Sequence, residues 1–334
     1  MRRTLAKLAP ILHLTRVTTA FAAIANVWFV VLWTQASAKE IGTPAMSDHP
    51  TWILLLGGAA NALGLFAFAA ALNDVLDLRR DRTLNPERPI ASGRITLDAA
   101  VSLVVGTLMV AVLGAAVLGV QAVLLTLLVG GAILFFNAAG KFVPAVGLVA
   151  LGLIYAGQMV VPNPQLVFVW PVWLVMTHSL AVAAVVHILK RKVPTLSRRA
   201  MGFAVFGWLF WTVIILVSGW ARSRGEGGLW PGWVSPWSAL GPALLAAVFV
   251  LMSYRKVRLY GPGPRAANKI ARYGALWLAL YACAWLIGQS IWAEEGSYAR
   301  AAWILTALSA AGFIGMTVLR EAYALLEHPL GYRR

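Results

Sequence analysis

Residues 72–96 read LNDVLDLRRDRTLNPERPIASGRIT, a charged segment between long apolar stretches. Five of the 12 acidic residues of the chain fall between positions 73 and 98. On a helix that continues through this segment, the spacing places Asp74, Asp77 and Asp81 on one face, with Asn73 beside them. Carboxylates this close repel one another, more so at a membrane interface, so the cluster predicts that a cation binds among them.

The composition is that of a membrane protein. Of the 334 residues, 60% are hydrophobic and 12% are charged, whereas a soluble domain has about 25% charged residues. Apolar stretches of about 20 residues, the length that crosses ~30 Å of hydrocarbon, recur along the chain. We predict an all-α, polytopic membrane helical bundle of about nine to ten transmembrane helices. The predicted spans are 14–34, 52–72, 97–118, 121–138, 143–161, 167–188, 201–220, 238–254, 273–292 and 300–319.

The Lys and Arg residues predict the orientation of these spans. Of the 28, 24 lie before or at the start of the first span, in the even-numbered loops or after the last span. Since cytoplasmic loops are enriched in Lys and Arg, we predict a multi-pass protein of the cytoplasmic membrane with both termini inside. The net charge of +16 is confined to these short loops, so it does not indicate nucleic-acid binding. We expect a single integral-membrane domain over residues 1–334, in contact with membrane lipid.

The residues after Asp81 predict a phosphate site next to the aspartates. Residues 86–93 are turn-rich, with two prolines and a glycine, and Arg88 and Arg94 belong to this connection. A guanidinium matches phosphate oxygens, and Mg²⁺ takes carboxylate ligands together with water and phosphate oxygens. These groups together predict a Mg²⁺-dependent diphosphate site. The alternative is a solvated network in which the aspartates pair with Arg79, Arg80 and Arg82.

This segment resembles the first aspartate-rich motif of the UbiA superfamily of intramembrane prenyltransferases. The residues that match, with the spacing intact, are Asn73, Asp74, Asp77, Asp81, Asn85, Arg88, Pro89, Ser92 and Gly93. A looser likeness covers roughly the first 200 residues and includes FFNAAGKFVPAVGLVALG at 135–152. The resemblance implies a UbiA-like core at about 11–220, opening laterally to lipid, with additional C-terminal helices at about 238–320.

The resemblance further implies an enzyme that transfers a prenyl group from a prenyl diphosphate to an aromatic or lipid acceptor, with Mg²⁺ as cofactor. Asp74, Asp77 and Asp81 are then its catalytic and metal-binding residues. The candidates for substrate binding are Asn73, Asn85, Arg88, Arg94, Asn137, Lys141, His187, Lys190 and Arg191. The sequence does not predict the acceptor, the length of the prenyl chain or the oligomeric state.

The second aspartate motif that this resemblance leads one to expect is absent. The sixth span ends in AVAAVVHILKRKVPTLSRRAMGF, residues 181–203, and no Asp or Glu occurs from 99 to 225. His187 falls about where an aspartate is expected. Either Lys190 or Arg191 contacts the diphosphate in place of a second metal ion, or the protein is a non-catalytic lipid-binding protein or transporter on a UbiA-like scaffold. A third interpretation is that the basic run serves membrane topology alone.

Overall fold

The computed structural model describes residues 10–16, 20–223, 228–293 and 296–327, and this part of the chain is helical without a strand. The helices are α1 (Phe21–Ala36), α2 (Pro44–Asp48), α3 (Thr51–Leu76), α4 (Leu78–Leu84), α5 (Leu97–Val117), α6 (Val120–Ala138), α7 (Pro144–Met159), α8 (Trp170–Leu189), α9 (Arg198–Arg222), α10 (Leu240–Tyr260), α11 (Pro264–Trp292) and α12 (Gly296–Glu327). Short 3₁₀ turns at Gly140–Phe142 and Pro236–Ala239 precede α7 and α10. Helices satisfy their backbone hydrogen bonds within one segment, as crossing hydrocarbon requires.

Each predicted span coincides with one of these helices. Within the described ranges, eight helices are long and apolar enough to cross a membrane, and α1 and α7 are shorter apolar helices. The largest differences are in the lengths of the last two, α11 and α12. Residues 264–272 include two arginines, a lysine and an asparagine, and they start α11 at a proline ahead of the predicted span. Hydropathy marks only the part of a helix that lies in lipid.

Helices α3 and α5 pack at backbone distance in the middle of the bundle. A Cβ atom on Gly64 would lie 2.5 Å from the backbone nitrogen of Ala111, and one on Gly114 would lie 2.5 Å from that of Asn61. Only hydrogen fits at these two positions, as is common where membrane helices cross closely. The buried Asn61 also donates to the carbonyl of Ala111 (3.0 Å) and to Oγ1 of Thr126 in α6 (2.8 Å). These contacts fix α3, which carries the aspartates at its C-terminal end.

The C-terminal helices belong to the same bundle. Helix α11 lies against α1, α8 and α10. His178 of α8 bonds through Nε2 to the carbonyl of Gly274 (3.0 Å) and through Nδ1 to the hydroxyl of Tyr281 (3.2 Å), both in α11. Because a carbonyl only accepts hydrogen bonds, Nε2 carries a proton. His178 therefore holds α8 against α11.

The end of the bundle opposite the aspartates contains a buried carboxylate. Glu40 is 8% exposed in the loop between α1 and α2. One of its oxygens accepts a hydrogen bond from the backbone N–H of Val167. The other accepts from the backbone N–H of Phe168 (3.3 Å) and from Nε1 of Trp33 (3.2 Å). Burial raises the pKa of Glu40 from 4.5 to about 7, although these N–H donors lower it. Glu40 thus ties the α1–α2 loop to the α7–α8 loop.

Candidate functional site

The aspartates lie where α3 ends, and the helix does not continue through them as the sequence analysis assumes. Asp77, with φ −86° and ψ 3°, leaves the helical conformation and separates α3 from α4. The backbone hydrogen bonds nevertheless continue, from the amide of Asp77 to the carbonyl of Asn73 (2.9 Å) and from Asp81 to Asp77 (2.8 Å). The helical spacing is thus largely kept across the break.

Asp74 and Asp81 share one guanidinium group. Nη1 of Arg88 lies 3.0 Å from Oδ1 of Asp74 and 2.6 Å from Oδ2 of Asp81. The two aspartates are 4% and 3% exposed, and a carboxylate this far from water needs a partner of opposite charge. Asn85 donates to the other oxygen of Asp81 (2.9 Å), and Nη2 of Arg16 lies 3.2 Å from Oδ1 of Asp74. These contacts of Arg88 hold its loop against the end of α3.

Lys141 joins the third aspartate to this network. It lies in the 3₁₀ turn between α6 and α7, with Nζ 2.8 Å from Oδ1 of Asp77 and 3.2 Å from Oδ1 of Asn73. Asn73 in turn donates to Oδ1 of Asp74 (3.4 Å). We call this group of side chains the aspartate network: Asn73, Asp74, Asp77, Asp81, Arg16, Arg88 and Lys141. Its cations are Arg16, Arg88 and Lys141. The solvated alternative instead pairs the aspartates with Arg79, Arg80 and Arg82.

Two further candidates from the sequence make hydrogen bonds within their own loops. Arg94 donates from Nε to Oγ of Ser92 (3.1 Å) and from Nη2 to the carbonyl of Glu87. His187 donates from Nε2 to the carbonyl of Pro194 (2.9 Å), across the turn that follows α8. Each of the two side chains closes its own loop, so neither needs a substrate to explain its position.

The basic run after α8 begins with an arginine in an unusual backbone conformation. Arg191 has φ 50°, in the left-handed region that favours glycine. Its amide bonds to the carbonyl of Ile188 (3.0 Å), and the amide of Lys192 bonds to the carbonyl of His187 (3.2 Å). These are the two hydrogen bonds of a Schellman motif, which ends a helix and reverses the chain.

Lys190 and Lys192 flank this left-handed residue. Both are exposed, yet neighbouring protein atoms partly desolvate their ammonium groups. Desolvation lowers the pKa of Lys190, and the charge of Arg16 lowers it further. Desolvation likewise lowers the pKa of Lys192, followed by the charges of Lys190, Arg80 and Lys141.

A cavity of about 250 Å³ extends from the aspartate network into the bundle. Arg16 and Asn73 line it at the network, and Asn137 and Gln158 add amide groups to a wall that is otherwise mostly apolar. Those two amides donate to backbone carbonyls within the bundle, at 3.0 and 3.1 Å. The remaining lining residues, from α3, α6 and α7, are Leu65, Phe66, Ala69, Ala70, Ile133, Phe136, Leu151, Ile154 and Tyr155.

The predicted metal ligands belong to the aspartate network. Among the residues that the structure describes, no three His, Cys, Asp or Glu side chains are gathered as a metal site. Asp74, Asp77 and Asp81 face cationic side chains rather than one common position, which differs from the arrangement that the sequence predicts. Their chemistry nevertheless fits Mg²⁺, because three carboxylates and the Asn73 amide oxygen are hard oxygen donors joined in one network.

Comparison with known proteins identifies the family. The chain matches the UbiA prenyltransferase family over residues 27–278 and belongs to it. Together with the eight long apolar helices, this membership makes it an integral, multi-pass membrane protein. No curated protein matches the chain.

The chain is also similar to solved structures, the first of which shows its fold. A structure of digeranylgeranylglyceryl phosphate synthase is 17% identical, with a TM-score of 0.55, over 85% of this chain and 98% of that one. A UbiA homolog from Archaeoglobus fulgidus is 14% identical, with a TM-score of 0.49, over 82% of this chain and 98% of that one. The same homolog bound to GPP and Mg²⁺ is 16% identical, with a TM-score of 0.41, over 92% and 99%.

Proposed function

We propose that this protein transfers a prenyl group from a prenyl diphosphate to an acceptor within the membrane, with Mg²⁺ as its cofactor. The observation that carries the proposal is the direct connection between the aspartate network and the apolar cavity. Arg16 and Asn73 line the cavity and also contact Asp74 and Lys141, respectively. A substrate with an anionic head and an isoprenoid tail matches such a site. Membership in a prenyltransferase family supports the same conclusion.

The aspartates and their basic partners would each bind part of the anionic head group, the aspartates through Mg²⁺ and the basic side chains directly. Asp74, Asp77 and Asp81 would hold Mg²⁺, which when bound supplies positive charge to the diphosphate leaving group. The basic side chains that now pair with the aspartates would bind phosphate oxygens instead, by charge-assisted hydrogen bonds. Each basic side chain would then pair with a carboxylate in the absence of substrate and with a phosphate oxygen in its presence.

The reaction is a substitution at the allylic carbon. The C–O bond breaks with both electrons on the diphosphate, and the surrounding cations stabilise this negative charge as it develops. The rings of Phe66, Phe136 and Tyr155 line the cavity, and an aromatic face stabilises a nearby positive charge such as that of the prenyl group. A nucleophilic carbon or oxygen of the acceptor then bonds to the prenyl carbon and loses a proton. The chemistry requires no nucleophile from the protein.

We propose an aromatic or lipid acceptor that reaches the site from the bilayer. The aspartate network faces the cytoplasm in this proposal, because 24 of the 28 Lys and Arg residues lie in segments on its side of the predicted topology. The cytoplasmic membrane and internal termini follow from the same bias.

A second candidate function is non-catalytic binding of a prenyl lipid or its transport. Two observations favour it. Each aspartate of the network is already paired with a basic side chain, and no Asp or Glu occurs from residue 99 to 225 to form a second metal site. On this interpretation the cavity still holds an isoprenoid, but no C–O bond is broken.

Binding and turnover distinguish the two functions. We would titrate purified protein with geranyl diphosphate, with and without Mg²⁺, and follow product formation with a panel of phenolic and lipid-alcohol acceptors by mass spectrometry. The enzyme requires Mg²⁺-dependent binding that is lost in Asp74→Asn and kept in the control Asp48→Asn, which changes an exposed acid at the opposite end of the bundle. Mass spectrometry of co-purified lipids would identify a bound isoprenoid. Equal binding by all forms with no turnover would support the non-catalytic function.

A further inference from the structure

We propose that the turn between α10 and α11 binds the phosphodiester head group of an anionic phospholipid. Cationic side chains held on tyrosine rings form the site. We call it the basic turn and define it by six residues: Tyr254, Lys256, Arg258, Tyr260, Arg265 and Tyr273. Prenyl transfer plays no part in this inference, so either proposal can fail without the other.

Positive charge gathers around this turn without a compensating acid. The Lys and Arg residues at the end of α10 and the start of α11 are Arg255, Lys256, Arg258, Arg265, Lys269 and Arg272. None of them forms an ion pair with an acid that the structure describes. Like charges in so short a segment repel one another, and an anion that binds among them lowers this repulsion.

Tyrosine rings hold the cations of the two helices close together. Nζ of Lys256 lies 5.9 Å from the centre of the Tyr260 ring and 5.3 Å from that of Tyr273 in α11. Arg265 lies over the same Tyr260 ring, with Cζ 5.2 Å from its centre. The ring of Tyr260 thus brings together one cation from each helix. Because cation–π contacts favour these positions, the two charges are gathered before a ligand binds.

The outer face of α10 places a further cation beside exposed leucines. Arg258 donates from Nε to the hydroxyl oxygen of Tyr254 (2.8 Å) and lies over its ring. Leu251 and Leu259, on the same face of the helix, are 67% and 65% exposed. Exposed leucines of a membrane bundle contact acyl chains, and tyrosine is enriched at the level of the head groups. This face therefore offers both contacts that a phospholipid needs.

These features identify the ligand as a lipid rather than the prenyl substrate or a soluble anion. The cavity at the aspartate network is lined by α3, α6 and α7, and the basic turn contributes nothing to it. Basic pockets between membrane helices on the cytoplasmic side bind anionic head groups. Orientation in the membrane requires Lys and Arg in this loop but no tyrosine rings beneath them. A lipid bound here would contact both helices and hold α10 against α11.

The experiment compares lipid binding by two double variants of equal charge. Purified protein in neutral detergent is titrated with dioleoyl phosphatidylglycerol or dioleoyl phosphatidylcholine, and bound lipid is measured by native mass spectrometry. The unchanged protein should prefer phosphatidylglycerol about tenfold or more, and Lys256→Gln with Arg265→Gln should remove most of this preference. Arg198→Gln with Arg199→Gln removes the same charge from exposed positions at the start of α9 and should keep the preference within about twofold. Because the preference is a ratio of two lipids, a general loss of folding does not imitate the loss of the site.

A variant at Tyr260 separates a built site from net charge. Tyr260→Leu keeps every charge but removes the ring between Lys256 and Arg265, so the preference for phosphatidylglycerol should fall about threefold or more. Tyr260→Phe keeps the ring and should bind as the unchanged protein does. Equal losses in the two double variants, or an unchanged preference in Tyr260→Leu, would show that binding follows net charge alone and would overturn the inference. Equal binding of the two lipids by the unchanged protein, or displacement of phosphatidylglycerol by excess inorganic phosphate, would overturn it as well.

Discussion

Arg88 is the residue on which the aspartate network depends. It contacts two buried carboxylates through one nitrogen and is itself 26% exposed. Such a group is needed whether or not a substrate is bound, because Asp74 and Asp81 have little contact with water. The charge pairing of the candidate site and the stability of the fold therefore depend on the same side chain.

Replacing Arg88 should destabilise the protein strongly. We expect Arg88→Met to lower the free energy of unfolding by about 3–5 kcal/mol, the usual cost of leaving buried charge unpaired. Adding Asp74→Asn and Asp81→Asn to this variant should restore most of the loss, because it removes the charges that need a partner. Thermal unfolding in detergent measures both effects. Arg82→Met, at an exposed position in α4, is the control and should change stability by less than about 0.5 kcal/mol.

Glu40 gives a prediction about pH. Its pKa is 4.5 when unfolded and about 7 when folded, because burial favours the protonated form. Between these values the folded protein binds more protons than the unfolded chain, so stability falls as the pH rises from about 4.5 to about 7. The total change is about 3 kcal/mol, since one pKa unit is worth about 1.4 kcal/mol. The comparison with Glu40→Gln isolates this contribution, because the variant cannot titrate there; a pH dependence equal in both proteins would contradict the prediction.

At the scale of single elements, the main feature is the close crossing of α3 and α5. Gly64 of α3 and Gly114 of α5 allow the two backbones to come into contact at the crossing. These contacts position the ends of α3. Asp74 lies about three turns beyond Gly64, and small shifts of α3 there would separate the aspartates from Lys141 and Arg16. Glycine is thus required for packing here, in contrast to the turns where it supplies a positive φ.

A methyl group at Gly114 should disturb both stability and the site. We expect Gly114→Ala to cost about 1–3 kcal/mol, because its Cβ atom would meet backbone rather than a flexible side chain. The matched control is Gly106→Ala in the same helix, where a Cβ atom meets nothing within 4 Å. Alanine favours a helix over glycine by about 1 kcal/mol, so this control should be neutral or stabilising. Equal effects at the two positions, measured by unfolding in detergent, would show that the crossing is loose.

At the scale of the whole molecule, the site is assembled from distant parts of one bundle. Asp74 comes from α3, Asp77 from the break after it, Asp81 from α4, and Lys141 from the turn before α7. The cavity is walled by α3, α6 and α7. Helices α10–α12 do not line this cavity but pack on the same bundle, with α11 against α1 and α8.

The cavity should limit the length of the prenyl chain. Ala69 lines it on α3, so Ala69→Phe fills space that the tail would occupy. We expect the variant to lose affinity for long prenyl diphosphates, about tenfold or more, while dimethylallyl diphosphate binds nearly as before. Competition binding across a series of chain lengths measures this shift. Ala99→Phe, at an exposed position in α5, should leave the series unchanged, and a parallel loss for every chain length in Ala69→Phe would indicate misfolding instead.

The sequence by itself determined the ten apolar helices and the position of the aspartate segment. Spans are encoded by local hydrophobicity, and residues 73–93 keep a spacing that needs no tertiary information. Only the tertiary structure decided which cations meet the aspartates. Arg16 and Lys141 lie 58 and 64 residues from Asp74 and Asp77 along the chain. Charge pairing acts through space, so partners this distant in sequence have no local pattern that identifies them.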